Sequence, residues 1–276
     1  MANAIGTNGT HERQERYADA IVKLMRPALK IRNTFGRDYE GSPKAGAVKV
    51  PVRALDPEVR DYDVKNGMAP SQSATTYLTI PVDNNKGINE LIDGYEAVAV
   101  PDNLIAQRLE AGAYATSKAL EESAISALKG GTASEQDDCT EANVYSNILK
   151  DIAILAKKGV DKNRMYVAIA YETETLLLTD EKFSNTASQI GAELAREGVV
   201  GRINGVNVIT EDLGEGVEYI VYGTDYTQAV DEFTSLPHIV DLEGSANYVG
   251  ASALKGRMVY ASAVTNKEAV IVKTKA

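Results

Sequence analysis

The most regular pattern in the chain is an apolar repeat between Asp102 and Lys129, with members three or four residues apart. This spacing places the repeat on one face of an α-helix. Pro101 and Asp102 form a helix start and Gly130 a helix stop. About 28 residues at a rise of 1.5 Å per residue predict a rod of ~42 Å, so we expect a long structural helix. The members of the repeat are Ile105, Leu109, Ala113, Thr116, Leu120, Ala124 and Ala127.

A second pattern is the alternation typical of strands, which occurs twice, around Val50 and around Ile80. Each predicted strand contains a proline, Pro51 or Pro81, and proline cannot donate to a central ladder. Residues 54–74 form a polar connection that is long for a compact domain. The sequence therefore predicts a two-stranded ribbon that projects from the body. Because such a ribbon is marginally stable in water, we expect another molecule to pack on it.

The N-terminal region predicts an amphipathic helix over residues 11–26, with Tyr17, Ile21 and Leu24 on one stripe. The segment that follows, "KIRNTFGRDYEGSPKAGA" (residues 30–47), is rich in glycine and charge. This composition predicts a tether between the helix and the body. The N-terminal region is therefore interpreted as an arm.

Beyond the polar run "GGTASEQDDCTEAN" (residues 130–143), helix and strand patterns mix and predict a second domain. A helix is expected over residues 144–158, a strand in "MYVAIA", a helix in "ETETLLLTD" and a strand in "EYIVYG". The dipeptide Asn204–Gly205 predicts a hairpin with a type I′ turn. The stretches "RMVYASAV" and "EAVIVKT" predict a terminal pair of strands that return to the long helix.

Charge changes this picture by separating the N-terminal region from the rest. The 276 residues carry a formal net charge of -10, with 44% hydrophobic and 25% charged residues, as in ordinary globular chains. Residues 1–53 hold ten Lys/Arg against five Asp/Glu, whereas residues 54–276 hold nineteen against thirty-four. An acidic body repels phosphates, so a nucleic-acid reader is disfavoured and attraction of the arm to a neighbouring copy is favoured. A helix with a solvated face of mixed charge is the alternative interpretation of the same residues. We expect no signal peptide and no membrane span.

The residues available for catalysis are few. Cys139 is the single cysteine, and His11 and His238 are the histidines; no third group or nucleophile elbow accompanies them. The acidic loop around Asp137 and Asp138 lacks the spacing of a calcium loop, and no phosphate-binding glycine motif is present. The sequence therefore predicts no catalytic, cofactor or metal site. A soluble α/β enzyme using Cys139 or the acidic loop is kept as an alternative.

The order of these features resembles the major capsid proteins of tailed bacteriophages, whose Hong Kong-phage capsid fold is shared with encapsulin shells. The resemblance rests on four stretches: "GAVKVPVRALDPEVRDYDVKNGMAPSQSATTYLTIPV", "DNLIAQRLEAGAYATSKALEESAISALKG", "GVVGRINGVNVITEDL" and "SANYVGASALKGRMVYASAVTNKEAVIVK". It implies an α+β fold with an N-terminal arm (1–40), an extended β-hairpin loop (41–82) and a peripheral domain with a long spine helix (83–131). An axial domain (132–236) and return strands of the peripheral domain (237–276) complete it.

The resemblance also implies a function. The chain is expected to be a structural subunit without enzymatic activity, forming pentamers and hexamers of an icosahedral capsid around double-stranded DNA. It implies assembly in the host cytoplasm, a place in the virion, and a separate scaffolding protein and a portal as further partners. An encapsulin-like compartment shell is the alternative with the same fold.

In this family the arm and the extended loop embrace neighbouring subunits, which implies two sets of contact residues. The arm set is Arg13, Arg16, Tyr17, Ile21, Lys23 and Arg26. The loop set is Val50, Val52, Arg60, Tyr62, Asp63 and Lys65.

Overall fold

A computed structural model describes residues 29–53, 61–68, 75–94, 104–180, 183, 199–242 and 249–275. The helices are α1 (Leu104–Leu128), α2 (Val144–Lys157) and α3 (Tyr171–Thr179). The strands are β1 (Ala47–Arg53), β2 (Thr75–Pro81), β3 (Asn84–Asp93), β4 (Thr132–Ala133), β5 (Met165–Ile169), β6 (Val199–Ile203), β7 (Val206–Thr210), β8 (Val217–Gly223), β9 (Thr227–Asp241), β10 (Ala251–Val264) and β11 (Val270–Thr274). The predicted α+β class is confirmed.

The strands that the structure describes form three sheets. β1 and β2 pair alone as an antiparallel ribbon, as their exposed prolines predict. An antiparallel sheet has the order β3-β10-β9, and a six-stranded sheet has the order β4-β11-β8-β5-β7-β6. Within the latter, β5 and β7 are parallel while β8 runs against β5. Within the part of the chain that the structure describes, no helix has the length and apolar character needed to cross a membrane.

Helix α1 contacts both larger sheets. Leu109, Ala113 and Leu120 pack with Leu254, Met258 and Tyr260 of β10 over the three-stranded sheet. One turn further on, Ala124, Ile125 and Leu128 pack with the six-stranded sheet. The predicted apolar stripe is confirmed as the buried face at Leu109, Ala113, Thr116, Leu120 and Ala124. Of its other two members, Ala127 is half-buried, and the side chain of Ile105 lies outside the described residues. The helix therefore links the two sheets instead of belonging to one.

The six-stranded sheet is covered on both faces. Ile148, Ile152 and Leu155 of α2 are fully buried against one face, as the periodicity predicts. α2 ends at Lys157, and Gly159 follows in the left-handed region with φ +90°. The β6–β7 turn places Asn204 at φ +51° and Gly205 at φ +84°, which confirms the predicted type I′ turn.

Two predictions about chain organisation were wrong. The segment expected to be a tether is packed into the body, because Ile31 and Phe35 are buried against the six-stranded sheet. The terminal strands do not pair with each other: β10 lies between β3 and β9, whereas β11 lies between β4 and β8. β9 continues through residues 236 and 237, between the expected axial domain and the expected return strands, and that division stays a prediction. The alternating pattern predicts a strand but carries no information about its partner, so it could not assign β11 to a sheet.

Candidate assembly surfaces

The base of the ribbon is fixed to its own chain. Val48, Val50 and Ile80 are buried and pack with Val230 of β9 and Ala261 of β10. Val50, expected to contact a neighbour, is only 4% exposed. Its side chain is therefore occupied by intrachain packing, which corrects the expectation for this residue.

The same face of the ribbon becomes uncovered towards its tip. Val50 and Leu78 are directly paired across the two strands, so their side chains share a face. Leu78 is nevertheless 36% exposed, and Val52, one step further out, is half-buried. On the opposite face Tyr77 is exposed. The apolar character of the ribbon thus extends beyond the surface that its own chain covers.

The described part of the connection, residues 61–68, is a hydrogen-bonded turn. The carboxylate of Asp63 accepts from the backbone N–H of Lys65 at 2.8 Å and from the side-chain amide of Asn66 at 2.7 Å. These hydrogen bonds lower the pKa of Asp63, and the bond from the Lys65 N–H has the largest effect. Gly67, at φ +67°, donates its N–H to the Asp63 carbonyl and closes the turn. Asp63 therefore has a local structural role, while Lys65 is exposed.

This turn presents apolar side chains to solvent. Tyr62 is 68% exposed and Val64 is 88% exposed, and Met68 is also exposed. Sequence reasoning selected Tyr62 but missed Val64 and Met68, because a valine and a methionine in a polar run have no periodicity to mark them. A turn held in shape with exposed apolar side chains is suited to docking on another surface.

The arm residues Arg13, Arg16, Tyr17, Ile21, Lys23 and Arg26 lie outside the described residues, as does Arg60. What the structure describes is the segment that follows the arm, residues 29–36, which we call the strap. Leu29 packs with Leu109 and Leu120 of α1. At its other end, Gly36 exchanges backbone hydrogen bonds with Thr227 and Ala229 at the edge of β9.

Polar groups hold the strap as well. The buried carboxylate of Glu121, on α1, accepts from the backbone N–H groups of Lys30 at 3.2 Å, of Ile31, and of Arg32 at 3.1 Å. Burial raises the pKa of Glu121, although these hydrogen bonds oppose the rise. Two adjacent glutamates, Glu121 and Glu122, give no sign of which one is buried, so sequence reasoning did not find this role.

Arg32 is fully buried and binds the other side of the junction. Its guanidinium donates to the carbonyls of Val230 at 3.0 Å and Ala261 at 3.3 Å, and to the hydroxyl of Ser262. It also pairs with Asp231 at 3.3 Å. Burial lowers the pKa of Arg32, and Asp231 opposes that shift; a guanidinium stays protonated in either case.

Of the candidate catalytic groups, His11 lies outside the described residues, and the two that the structure describes lie on different elements. Cys139 lies beside the six-stranded sheet, where its backbone N–H donates to Glu218, whereas His238 lies on β9 opposite Lys255. Burial, followed by the charge of Glu218, raises the pKa of the Cys139 thiol to about 12. A nucleophilic cysteine requires the opposite shift. Within the described ranges, no group of three or more His, Cys, Asp or Glu side chains is placed to hold a metal ion.

Comparison with known proteins places this architecture in a class. No protein-family model matches the sequence, and no curated protein matches it either. Solved structures do match. A chain from Mycobacterium phage Che8 is 20% identical, with a TM-score of 0.65, and the match covers 88% of this chain and 90% of that one. The capsid of the cyanophage P-SCSP1u gives 10% identity and a TM-score of 0.63, covering 87% and 85%.

A virus-like particle from Pyrococcus furiosus is also similar, with 12% identity, a TM-score of 0.58 and coverage of 95% and 99%. The fold is thus that of proteins that build viral and virus-like shells. More particularly, the chain has the fold of phage major capsid proteins. This is the family that the order of its sequence features resembles.

Proposed function

We propose that this chain is a major capsid protein of a tailed bacteriophage, a structural subunit that assembles into the pentamers and hexamers of an icosahedral shell. The observation that carries the proposal is the extended loop, in which apolar side chains are buried at Val48 of the ribbon, exposed at Leu78 of the ribbon and exposed at Val64 of the turn. Such a gradient leaves part of the stabilising surface to be covered by another molecule. The capsid fold makes a second copy the natural candidate.

In this proposal α1 is the spine helix, the three-stranded sheet is the core of a peripheral domain, and the six-stranded sheet is the core of an axial domain. The ribbon and residues 61–68 form the extended loop. A loop that covers a different surface on the next copy makes a heterologous contact, and such contacts generate closed rings and shells. Many weak contacts of this kind give a stable shell by effective concentration.

The contact residues proposed for the loop are Val52, Arg60, Tyr62, Val64 and Lys65. Those proposed for the arm are Arg13, Arg16, Tyr17, Ile21, Lys23 and Arg26. The net charge of the chain, -10, disfavours adhesion of its body to packaged double-stranded DNA. A separate scaffolding protein and a portal complete the proposed partners, and the capsid of a virion assembled in host cytoplasm is the proposed location.

Electron microscopy of the purified protein with size-exclusion chromatography tests the proposal. We expect closed particles, alone or with a scaffolding partner, and a protein that stays monomeric under all these conditions contradicts it. The particle from Pyrococcus furiosus makes an encapsulin-like compartment the second candidate. Particles that hold a cargo enzyme in place of DNA would favour that second candidate.

Deletion of residues 56–73 tests the role of the loop. We expect a folded subunit that fails to form normal shells, because the deletion removes the exposed apolar turn and leaves the buried base of the ribbon.

Charge reversal at Arg13, Arg16, Lys23 and Arg26 tests the arm. We expect assembly to weaken more than folding, with a dependence on salt. Normal shells from either variant would contradict the corresponding assignment.

A further inference from the structure

The strap lies where helix α1, the three-stranded sheet and the six-stranded sheet meet. Glu121 ties it to α1, and Arg32 ties it to β9 and β10. Lys30 adds a contact to the six-stranded sheet, because its ammonium donates to the Thr210 carbonyl at 2.9 Å and pairs with Glu211 at 3.1 Å. Three successive residues, 30–32, are therefore bound to α1, to β9 and β10, and to the six-stranded sheet.

We propose that Glu121 and Arg32 are positioning residues for assembly, which fix the point and direction in which residues 1–28 leave the subunit. This inference rests on the proposed function. The arm is proposed to contact a neighbouring copy, so the point at which it leaves the subunit decides which neighbouring surface it meets. A fixed origin raises the effective concentration of the arm at one neighbouring surface.

The chemistry of the strap fits positioning better than simple core filling. Apolar side chains could fill the same space without the desolvation penalty of a buried carboxylate and a buried guanidinium. Hydrogen bonds to three successive amides, in contrast, require one orientation of the backbone. Ile31 and Phe35 already supply apolar burial to the strap. Glu121 and Arg32 additionally fix the orientation of the strap backbone.

A double-mutant cycle in the full-length chain tests this inference. One variant is Glu121→Ala, its matched control is Glu122→Ala at the exposed neighbouring position, and the arm variant carries Arg13→Glu and Arg16→Glu. We expect amide exchange at residues 30–32 to become at least about tenfold faster in E121A, since three amides lose a charged acceptor. We expect exchange in the six-stranded sheet and in E122A to stay unchanged.

The critical concentration for assembly distinguishes a positioning role of Glu121 from a purely structural one. E121A should raise it in the native background, but should add nothing in the arm variant, because both changes then act through the same segment. Additive effects would assign Glu121 a purely structural role and overturn the inference. Unchanged assembly by E121A or by the arm variant would also overturn it. If E121A does not fold, Glu121→Gln, which keeps one carbonyl acceptor, enters the same cycle.

The same experiment separates this inference from the proposed function. Native protein that forms no particles, alone or with scaffold, counts against the shell subunit itself. Native particles together with normal assembly of E121A count only against the positioning role.

Discussion

Two valines of the extended loop offer a matched test of how its surface is used. Val50 is 4% exposed and Val64 is 88% exposed, so the same change to alanine acts on opposite environments. Val→Ala removes about two methyl groups, and each buried group of this size is worth ~0.8 kcal/mol. V50A should therefore lower the free energy of unfolding of the subunit by ~1.5–2.5 kcal/mol, including the cavity that it leaves.

V64A should leave subunit stability within about 0.5 kcal/mol, as is usual for exposed positions. If a neighbour covers Val64, the change to alanine should reduce the free energy of binding between subunits by up to ~1.5 kcal/mol, which weakens the contact by about tenfold. Urea unfolding under non-assembling conditions measures the first effect, and light scattering against protein concentration measures the second. Native assembly by V64A, or a raised critical concentration in V50A with unchanged unfolding, would refute this reasoning.

Three further predictions concern single groups. Because burial, followed by the charge of Glu218, raises the pKa of Cys139 to about 12, its thiolate is scarcer in the folded protein, and iodoacetamide should label the folded protein more slowly than the urea-unfolded protein; equal rates would contradict this. Gly205→Ala should cost about 1–2 kcal/mol in urea unfolding because φ is +84°, whereas Asn204→Gly should be tolerated, and equal stability of both variants would argue against the turn. Since the pKa of Glu121 is raised by burial, its contribution to stability is present below the ordinary glutamate value of 4.5 and is lost as the pH rises through the folded value. The unfolding free energy of the native protein should thus rise relative to that of E121Q as the pH falls from 7 towards 4.5, and parallel pH profiles would contradict the shift.

The elements that the sequence predicted well are those with strong local signals. The apolar repeat found α1, and Asn204–Gly205 found the β6–β7 hairpin, because periodicity and turn chemistry are properties of neighbouring residues. Pairing depends on distant residues and was harder to predict, as β11 illustrates. The strap was misassigned for the same reason: glycine and charge around Phe35 indicate a loop, and the groups that bury it lie about 90 to 200 residues away, on α1 and β9.

Among the candidate surface residues, sequence reasoning distinguished polar from apolar but not covered from uncovered. Val50 and Val52 belong to one alternating strand, yet only Val50 is enclosed by Val230 and Ala261. The distinction depends on where the ribbon leaves β9 and β10, which the alternation of the strand does not encode. Tyr62 entered the loop set through the resemblance and stays a prediction, whereas Val64 was not selected although it is more exposed.

The placement of α1 has a consequence for how the subunit melts. Leu120 belongs to the core of one sheet and Ala124, one turn later, to the core of the other. Helix α1 therefore covers one face of each sheet, and loss of the helix exposes part of both cores at once. We expect calorimetry of the unassembled chain to record one cooperative transition, although its strands are divided between separate sheets.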